Sequence, residues 1–313
     1  MRIRFWGVRG SIPVTQTPLQ IKSKISAIIE QLTPEDLYSA ESKERFLAGL
    51  PPWLFGTVGG NTPCVSVAFD DTGDYIVFDC GSGLRELGLS ADTLSPRPKQ
   101  YHVFFSHFHW DHLQGLPFFG PAYDSSVKID FYSPKPNLEQ ALAAQMNAPF
   151  FPVEFKSTAA VKTFHFLEKP LDMGQCRITY KKLNHPGDSF AYCIHENGKR
   201  FIYASDVELT APDFIKNDEN SAFFEGADMI VLDSQYTIDE AIVKYNWGHS
   251  AITTSVDFAA NWGIKHMVMF HHEPLYNDRK LYSILHSARW YLERMNIKGL
   301  EITLACEGSE IKL

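Results

Sequence analysis

The sequence has few of the features that mark disulfide-rich or membrane-spanning proteins. Its 313 residues include five cysteines, which stand singly without a CxxC pair, so a disulfide framework is disfavoured. No apolar run is long enough to cross a membrane, and residues 1–6 show strand-like alternation instead of a signal peptide. We therefore expect a cytoplasmic protein without a membrane partner.

Positive charge is also scarce. The formal net charge is -8, a balance that repels polyanions and disfavours a long nucleic acid as partner. A small anionic substrate stays compatible with this charge, because bound divalent cations would dominate the field around them. The composition leaves the oligomeric state open, including a homodimer.

The length and the hydrophobic content of 44% predict one large core. No linker divides the chain, so we expect a single domain over residues 1–313. Residues 15–57 interrupt the strand pattern with isoleucines at helical spacing, which predicts a helical insertion that either covers a site or decorates the surface. Residues 148–163 are rich in proline and aromatics and predict irregular structure, as packing or as a pocket wall.

What the sequence does have is a dense group of metal-binding side chains. Residues 107–112 read HFHWDH and directly follow an apolar run that predicts a buried strand. Residues at i and i+2 point the same way, so His107 and His109 can bind one cation while Asp111 and His112 face a second. Imidazole and carboxylate without thiolate suit zinc, manganese or iron. The alternative is a metal-free histidine-rich turn, which would not need the aspartate.

Other predicted strands also end in polar side chains. The residues at these ends that could bind a metal or orient a ligand are Asp79, His185, Asp206, His271 and His272. Asp79 either orients a ligating histidine or caps the next helix. The carboxylate of Asp206 could bridge two cations. Strands dominate early and alternate with helices later, which favours sheets with helices packed outside.

Taken together, HFHWDH and the later His185, Asp206 and His271 resemble the ordered signature of the metallo-beta-lactamase superfamily over nearly the whole chain. The resemblance implies a four-layer αββα sandwich of mixed sheets, with metals at one edge. The segments RFWGVRGSIP, GGNTPCV, FDCGSG and GHSAITTSVDFAANWGIKHMVMFHH are similar to the phosphodiesterase branch, which includes tRNase Z-type nucleases and cyclic phosphodiesterases. The basic, glycine-rich arm of the tRNA-processing enzymes is not seen.

The resemblance also implies a set of site residues for two divalent ions, zinc before manganese or iron. The implied ligands are His107, His109 and His185 for the first ion, Asp111, His112 and His271 for the second, and Asp206 between them. It places His271 rather than His272 at the last position. His249 corresponds to a histidine that faces the scissile phosphate, and a helix N-terminus there would favour a phosphate. From the residues alone, His249 is an ordinary residue at a helix start.

The expected function is that of a dinuclear metal-dependent hydrolase of small or cyclic phosphodiesters, acting through a hydroxide that bridges the metals. Asp111 would bind metal and orient the nucleophile, and His249 would act as the general acid. One alternative is an ester, lactone or thioester hydrolase, because the same fold serves many substrates. Another is a di-iron redox or oxygen-binding module, although no flavin or rubredoxin domain accompanies it in the sequence.

Overall fold

The computed structural model describes residues 1–69, 74–91, 93 and 97–313. The strands within these ranges are β1 (Arg2–Gly7), β2 (Cys64–Ala68), β3 (Tyr75–Phe78), β4 (Gln100–Phe104), β5 (Lys128–Ser133), β6 (Val161–Phe166), β7 (Leu171–Asp172), β8 (Arg177–Leu183), β9 (Ser189–Glu196), β10 (Lys199–Ala204), β11 (Met229–Asp233), β12 (His266–Phe270), β13 (Glu301–Leu304) and β14 (Glu310–Lys312). The α-helices are α1 (Pro18–Ile29), α2 (Ala40–Gly49), α3 (Pro52–Phe55), α4 (Gly83–Ala91), α5 (Leu138–Gln145), α6 (Asp218–Phe224), α7 (Ile238–Val243), α8 (Ile252–Asn261) and α9 (Asp278–Arg294).

The described strands form two mixed sheets. The first has the order β14-β1-β2-β3-β4-β5-β6 and the second the order β13-β12-β11-β10-β9-β8-β7. Strands β3 to β6 are parallel, and so are β10 to β13. Parallel neighbours end on the same side, so each sheet presents several strand ends at one edge, where ligands commonly bind in such sheets.

Aromatic side chains fill the space between the sheets. Phe78 of β3 stacks on Tyr203 of β10 with ring centroids 5.0 Å apart, and Phe104 of β4 meets Tyr192 of β9 edge-on at 5.4 Å. Each such pair adds about 0.5–1.5 kcal/mol beyond the burial of its area. The core between the sheets therefore fixes the relative position of β3, β4 and β10, whose ends carry site residues.

Helices cover the outer faces of both sheets. Helix α4 contacts β1, helix α5 contacts β5 and β6, and helices α8 and α9 contact β11, β12 and β13. The buried side chains of α9 recur at helical spacing along one stripe, as expected for a helix on a sheet; they are Leu281, Ile284, Leu285, Ala288 and Leu292. The predicted αββα sandwich is confirmed.

One local prediction was wrong. Residues 161–163 belong to β6, which pairs in parallel with β5 as an edge strand of the first sheet, although the preceding proline-rich segment suggested irregular structure. Asn137 is the N-cap residue of α5; it adopts the left-handed backbone (φ 65°) and its side chain makes no capping hydrogen bond. In addition, β9 was not predicted; its sequence SFAYCIHE lies between two polar turns.

The segment 15–57 contains α1, α2 and α3. Thr17 and Gln20 form a capping box at the start of α1, and Pro18 occupies its first position, a combination that favours helix initiation. Helices α1 and α2 bury none of their residues, whereas α3 buries Leu54 and contacts α1 and α9. The segment therefore contacts the rest of the described structure through α3 and through polar side chains.

Within the described ranges, no helix has the length and apolar character that a membrane span requires.

Candidate metal centre

Six strands of the two sheets bring polar residues to one edge of the sandwich. These residues are Asp79 after β3, the segment 106–112 after β4, His185 after β8, Asp206 after β10, Asp233 at the end of β11 and His271 after β12. Buried hydrophobic strands place their ends rigidly, because their backbones are fixed by neighbours on both sides. The site is consequently built on the sheets themselves.

The predicted ligands lie in two adjoining groups. The possible ligand atoms of His107, His109 and His185 lie within 4.8 Å of one another, and so do those of Asp111, His112 and His271. Asp206 stands between the groups: its Oδ2 lies 3.7 Å from His107 Nε2 and 3.3 Å from His271 Nε2, and its Oδ1 lies 3.2 Å from His112 Nε2. The structure therefore brings all seven sequence-predicted ligands together.

In the first group, the outer nitrogen of each buried imidazole is engaged by the protein. His185 donates from Nδ1 to the Gly248 carbonyl at 2.8 Å, and its Nε2 lies 3.1 Å from His109 Nδ1. His107 Nδ1 lies 3.0 Å from Ser106 Oγ. These contacts fix the rings with their remaining nitrogens facing the cluster, as ligating histidines require.

The second group is arranged in the same way. His112 donates from Nδ1 to Asp79 Oδ2 at 2.8 Å. His271 donates from Nδ1 to Gln235 Oε1 at 3.3 Å, and its Nε2 lies 3.3 Å from Asp111 Oδ2. Asp111 Oδ2 also accepts the backbone N–H of Ser11 at 2.8 Å. The residues of this group therefore also turn one free nitrogen or oxygen toward the centre.

The donor set fits two divalent cations. The Nε2 atoms of His107 and His112 are buried and find no hydrogen-bond partner within the described part of the chain. A buried polar atom without a partner is costly, and a cation bound in each group, with Asp206 between them, would give each nitrogen a partner. Imidazole nitrogen with carboxylate oxygen suits zinc, manganese or iron better than calcium or magnesium.

Burial and neighbouring charges set the protonation of the cluster. Burial lowers the pKa of His107, His109 and His185, which keeps these imidazoles neutral and ready to bind metal. Burial alone would lower the pKa of His112 and His271 as well, but Asp206 and Asp111 raise it. In the metal-free protein, protons therefore compete for the second group more strongly than for the first.

The two carboxylates of the cluster have lowered pKa values. Burial alone would raise the pKa of Asp111 and Asp206, but the adjacent His112 and His271 lower it in both cases. Both side chains are therefore charged near neutral pH, as metal binding requires.

Asp79 orients a histidine of the site. In the described structure its carboxylate accepts hydrogen bonds from His112 Nδ1, the Ser106 N–H, Ser106 Oγ and the Tyr203 hydroxyl, at 2.7–2.8 Å. Of the two interpretations of Asp79 from the sequence, the structure thus shows a partner of a site histidine and not a helix cap.

His271 and His272 are adjacent in the chain but have different surroundings. His271, with a positive φ of 58°, faces Asp111 and Asp206. His272 instead donates from Nε2 to the Ala305 carbonyl at 2.9 Å, and burial next to Arg9 lowers its pKa to about 3. The structure thus places His271, and not His272, in the cluster.

Glycine is required where the backbone approaches two of these rings. A Cβ on Gly10 would lie 2.5 Å from His271 Cε1, and one on Gly248 would lie 2.2 Å from His185 Nδ1. Gly248 also has a φ of +91°, which disfavours other residues. The turns RGS and GHS of the sequence therefore enclose the ligands closely.

His249 lies beside both groups and is paired with a carboxylate. Its Nδ1 lies 2.7 Å from Asp233 Oδ2, and its ring stacks on His271 at 4.8 Å between centroids and meets His185 at 5.2 Å. Asp233 Oδ1 accepts the backbone N–H of Ser250 at 3.1 Å. The side chain of His249 is 10% exposed, so the ring forms part of the wall of the cleft.

Asp233 is one of the residues of the site that were not predicted from the sequence. It follows the apolar run MIVL, the same signal that pointed to Asp206. The pairing with His249 was not evident, because it depends on β11 lying next to the turn before α8. Ser106, Tyr203 and Gln235, which hold other site side chains, were missed for the same reason.

Comparison with known proteins identifies the family. A family model described as a beta-lactamase superfamily domain matches residues 74–272. The chain therefore belongs to this superfamily, and its predicted membership of the metallo-beta-lactamase fold is confirmed.

Within the superfamily, curated relatives of this chain are ribonucleases Z. It is 27% identical to the Haloarcula marismortui protein over 46% of this chain and 45% of that one, so this alignment spans about half of each protein. It is 24% identical to the protein of Synechococcus sp. strain CC9605 over 69% of this chain and 82% of the relative.

Solved structures share the fold over the full length. Human tRNase Z, short form, superposes with a TM-score of 0.63 at 17% identity, and the alignment covers 100% of this chain and 99% of the human chain. A diphosphatase of the PhnP family gives a TM-score of 0.62 at 15% identity, and the alignment covers 100% of this chain and 97% of the diphosphatase.

Proposed function

We propose that this protein is a dinuclear metal-dependent hydrolase of phosphodiesters, with zinc as the first choice of metal. His107, His109 and His185 would hold one ion, Asp111, His112 and His271 the other, and Asp206 would contact both. The domain comprises residues 1–313, with residues 15–57 as its helical insertion. The proposal rests on the pair of His249 and Asp233. This pair places a side chain that can transfer a proton at the edge of the cluster where the two ions would bind.

The two cations would supply Lewis acidity and lower the pKa of bound water. The chain's own residues do the rest. Asp111 is held by the Ser11 amide at 2.8 Å, which leaves its other oxygen free to accept a hydrogen bond and so to orient an attacking water. The buried rings of both groups are fixed through their outer nitrogens, so most of the cluster is organised before substrate arrives.

His249 is suited to proton donation. Asp233 accepts from its Nδ1 at 2.7 Å, which leaves Nε2 to carry the proton that a departing alkoxide or phenoxide needs. A positioned general acid of this kind contributes about 10²–10⁴ in rate.

The net charge of -8 favours small or cyclic phosphodiesters over long polyanions. A second candidate is cleavage of RNA, which the ribonuclease Z relatives favour. The two are separated by comparing a tRNA precursor with 2′,3′- and 3′,5′-cyclic nucleotides at physiological salt, because binding of a long polyanion weakens steeply as salt is raised.

The test of the proposed function is hydrolysis of bis(p-nitrophenyl) phosphate by protein of known metal content, alongside a panel of lactones and esters. We expect turnover of the phosphodiester that disappears in Asp111→Ala. His266→Ala is the matched control, because this histidine lies on β12 and contacts Thr303 outside the cluster.

The alternatives give different results in the same assay. Activity on lactones or esters alone would replace the phosphodiesterase by a carbonyl hydrolase, since the same activated water attacks carbonyl carbon. A coloured iron centre without hydrolysis would indicate a redox or oxygen-binding module. Either result would contradict the proposal.

A further inference from the structure

A cavity of ≈ 550 Å³ lies between the helical insertion and the start of α9. Its apolar lining includes Val14, Leu19, Trp53 and Leu275. The volume falls in the range of roughly 300–1,000 Å³ that is usual for small-molecule sites. We call this space the insertion cavity.

Two buried charged side chains beside the insertion cavity, Asp278 and Arg9, are already engaged by the protein. Asp278, which is 4% exposed, accepts hydrogen bonds from Lys24 Nζ at 2.5 Å, Gln16 Nε2 at 2.6 Å and the Val58 N–H at 3.0 Å. Arg9 donates to the carbonyls of Gly59 and Tyr276 at 2.9 and 2.7 Å. An additional ion would have to displace these contacts.

The surface that remains for a ligand is mostly apolar, with polar side chains such as Gln20 and Ser23 also in the lining. Leu19 is 73% exposed and Leu275 is 87% exposed, and Trp53 is half-buried with the Arg279 guanidinium 5.4 Å from its ring centroid. Exposed apolar side chains around a concave space are typical of a binding site. The insertion cavity is therefore suited to an uncharged, apolar group.

The insertion cavity lies close to the metal centre along two stretches of chain. Val14 stands three residues after Ser11, whose amide contacts Asp111, and Pro274, which also lines the cavity, stands three residues after His271. Three residues span at most about 11 Å. One extended molecule can therefore reach from the cluster to the cavity.

We propose that the substrate carries an apolar alkyl or aryl group, which occupies the insertion cavity while its phosphodiester lies at the metal centre. This inference rests on the proposed function and names the substrate class of the same site. The helical insertion then determines specificity, because α1 and Trp53 supply walls of the cavity.

The test compares methyl p-nitrophenyl phosphate with octyl p-nitrophenyl phosphate, which share the scissile bond and the leaving group. Each methylene removed from water favours binding about fourfold. The cavity is partly open, so we expect kcat/KM to be at least about tenfold higher for the octyl ester.

Three variants test whether the cavity causes this difference. Ala27 lines the cavity from α1, so Ala27→Trp fills part of its space, and Leu275→Asp puts a charge on its wall. Both variants should reduce the preference for the octyl ester to within about twofold. Ser26→Trp is the control, because Ser26 is exposed on the same helix and does not line the cavity. Since α1 buries no residue, these helix variants should fold.

Binding without turnover provides a second measurement. Octyl methyl phosphate, which lacks the p-nitrophenyl leaving group, should bind in calorimetry with a negative heat-capacity change, and Ala27→Trp should weaken this binding while Ser26→Trp should not.

The outcomes separate the two proposals. Equal turnover of both esters, or an octyl preference that survives Ala27→Trp and Leu275→Asp, would overturn the assignment of the cavity and leave the phosphodiesterase standing. Turnover of neither ester would overturn the proposed function together with the inference that depends on it.

Discussion

Replacing Asp79 by asparagine should weaken both the fold and the second metal group. The carboxylate accepts from His112, from the N–H and hydroxyl of Ser106, and from Tyr203, and its side chain is fully buried. An amide offers one acceptor oxygen and turns an NH₂ group toward the remaining donors. Three of the four donors share Oδ2 and only the Ser106 N–H contacts Oδ1, so in either orientation of the amide at least one donor loses its partner, which costs about 1–3 kcal/mol.

We therefore expect Asp79→Asn to lower the free energy of unfolding of the metal-free protein by at least about 1–3 kcal/mol. The metal affinity of the group with His112 should fall about 10–100-fold, as it does when the partner of a ligating histidine is removed. Urea unfolding followed by tryptophan fluorescence measures the first quantity, and competition with a chelating dye measures the second.

Tyr203→Phe is the matched control for this prediction. It removes one of the donors to Asp79 but keeps the carboxylate and its bond to His112, so stability should fall by about 1 kcal/mol and metal affinity should stay within about twofold of wild type. If Asp79→Asn folds and binds the second ion as tightly as wild type, the account of how His112 is oriented is wrong.

Other perturbations have equally definite outcomes. His249→Ala should keep the metal content and lower phosphodiester turnover at least about tenfold; loss of metal or unchanged turnover would remove it from the catalytic role. As the pH is lowered from about 8 to about 6, metal affinity should fall more steeply in His185→Ala, which keeps the second group, than in His271→Ala. The reason is that the raised pKa of His112 lets protons compete with metal at higher pH. Equal pH dependence of the two affinities, measured by chelator competition, would contradict this. Burial raises the pKa of the Cys80 thiol, so iodoacetamide at about pH 8 should label this residue only in urea. Labelling of Cys80 in the native protein, detected by mass spectrometry, would contradict this.

The sequence predicted site residues where a side chain that can bind metal directly follows a predicted strand. His107, His109, Asp111 and His112 follow one apolar run within six residues, so their proximity is local. The order of predicted strands and helices indicated sheets with helices packed outside, and the αββα arrangement followed from the family resemblance.

Contacts between distant strands were not predictable from residue patterns alone. Asp206 and Asp233 both follow an apolar run. Asp206 contacts histidines of the cluster, whereas Asp233 pairs with His249, and this difference depends on how β10, β11 and the turn before α8 are arranged. The resemblance had placed His271 rather than His272 at the last position, and the structure agrees. The insertion cavity was likewise invisible, since its walls come from α1, α3 and α9.

The most direct test of the account is the number of metal ions bound per chain. Metal analysis of the purified protein, together with native mass spectrometry, should give two ions in the wild type. His185→Ala and His271→Ala should each retain one, because each removes a ligand from a different group. A single ion in the wild type, or the loss of both ions in either variant, would contradict the proposal of two adjoining metal sites that share Asp206.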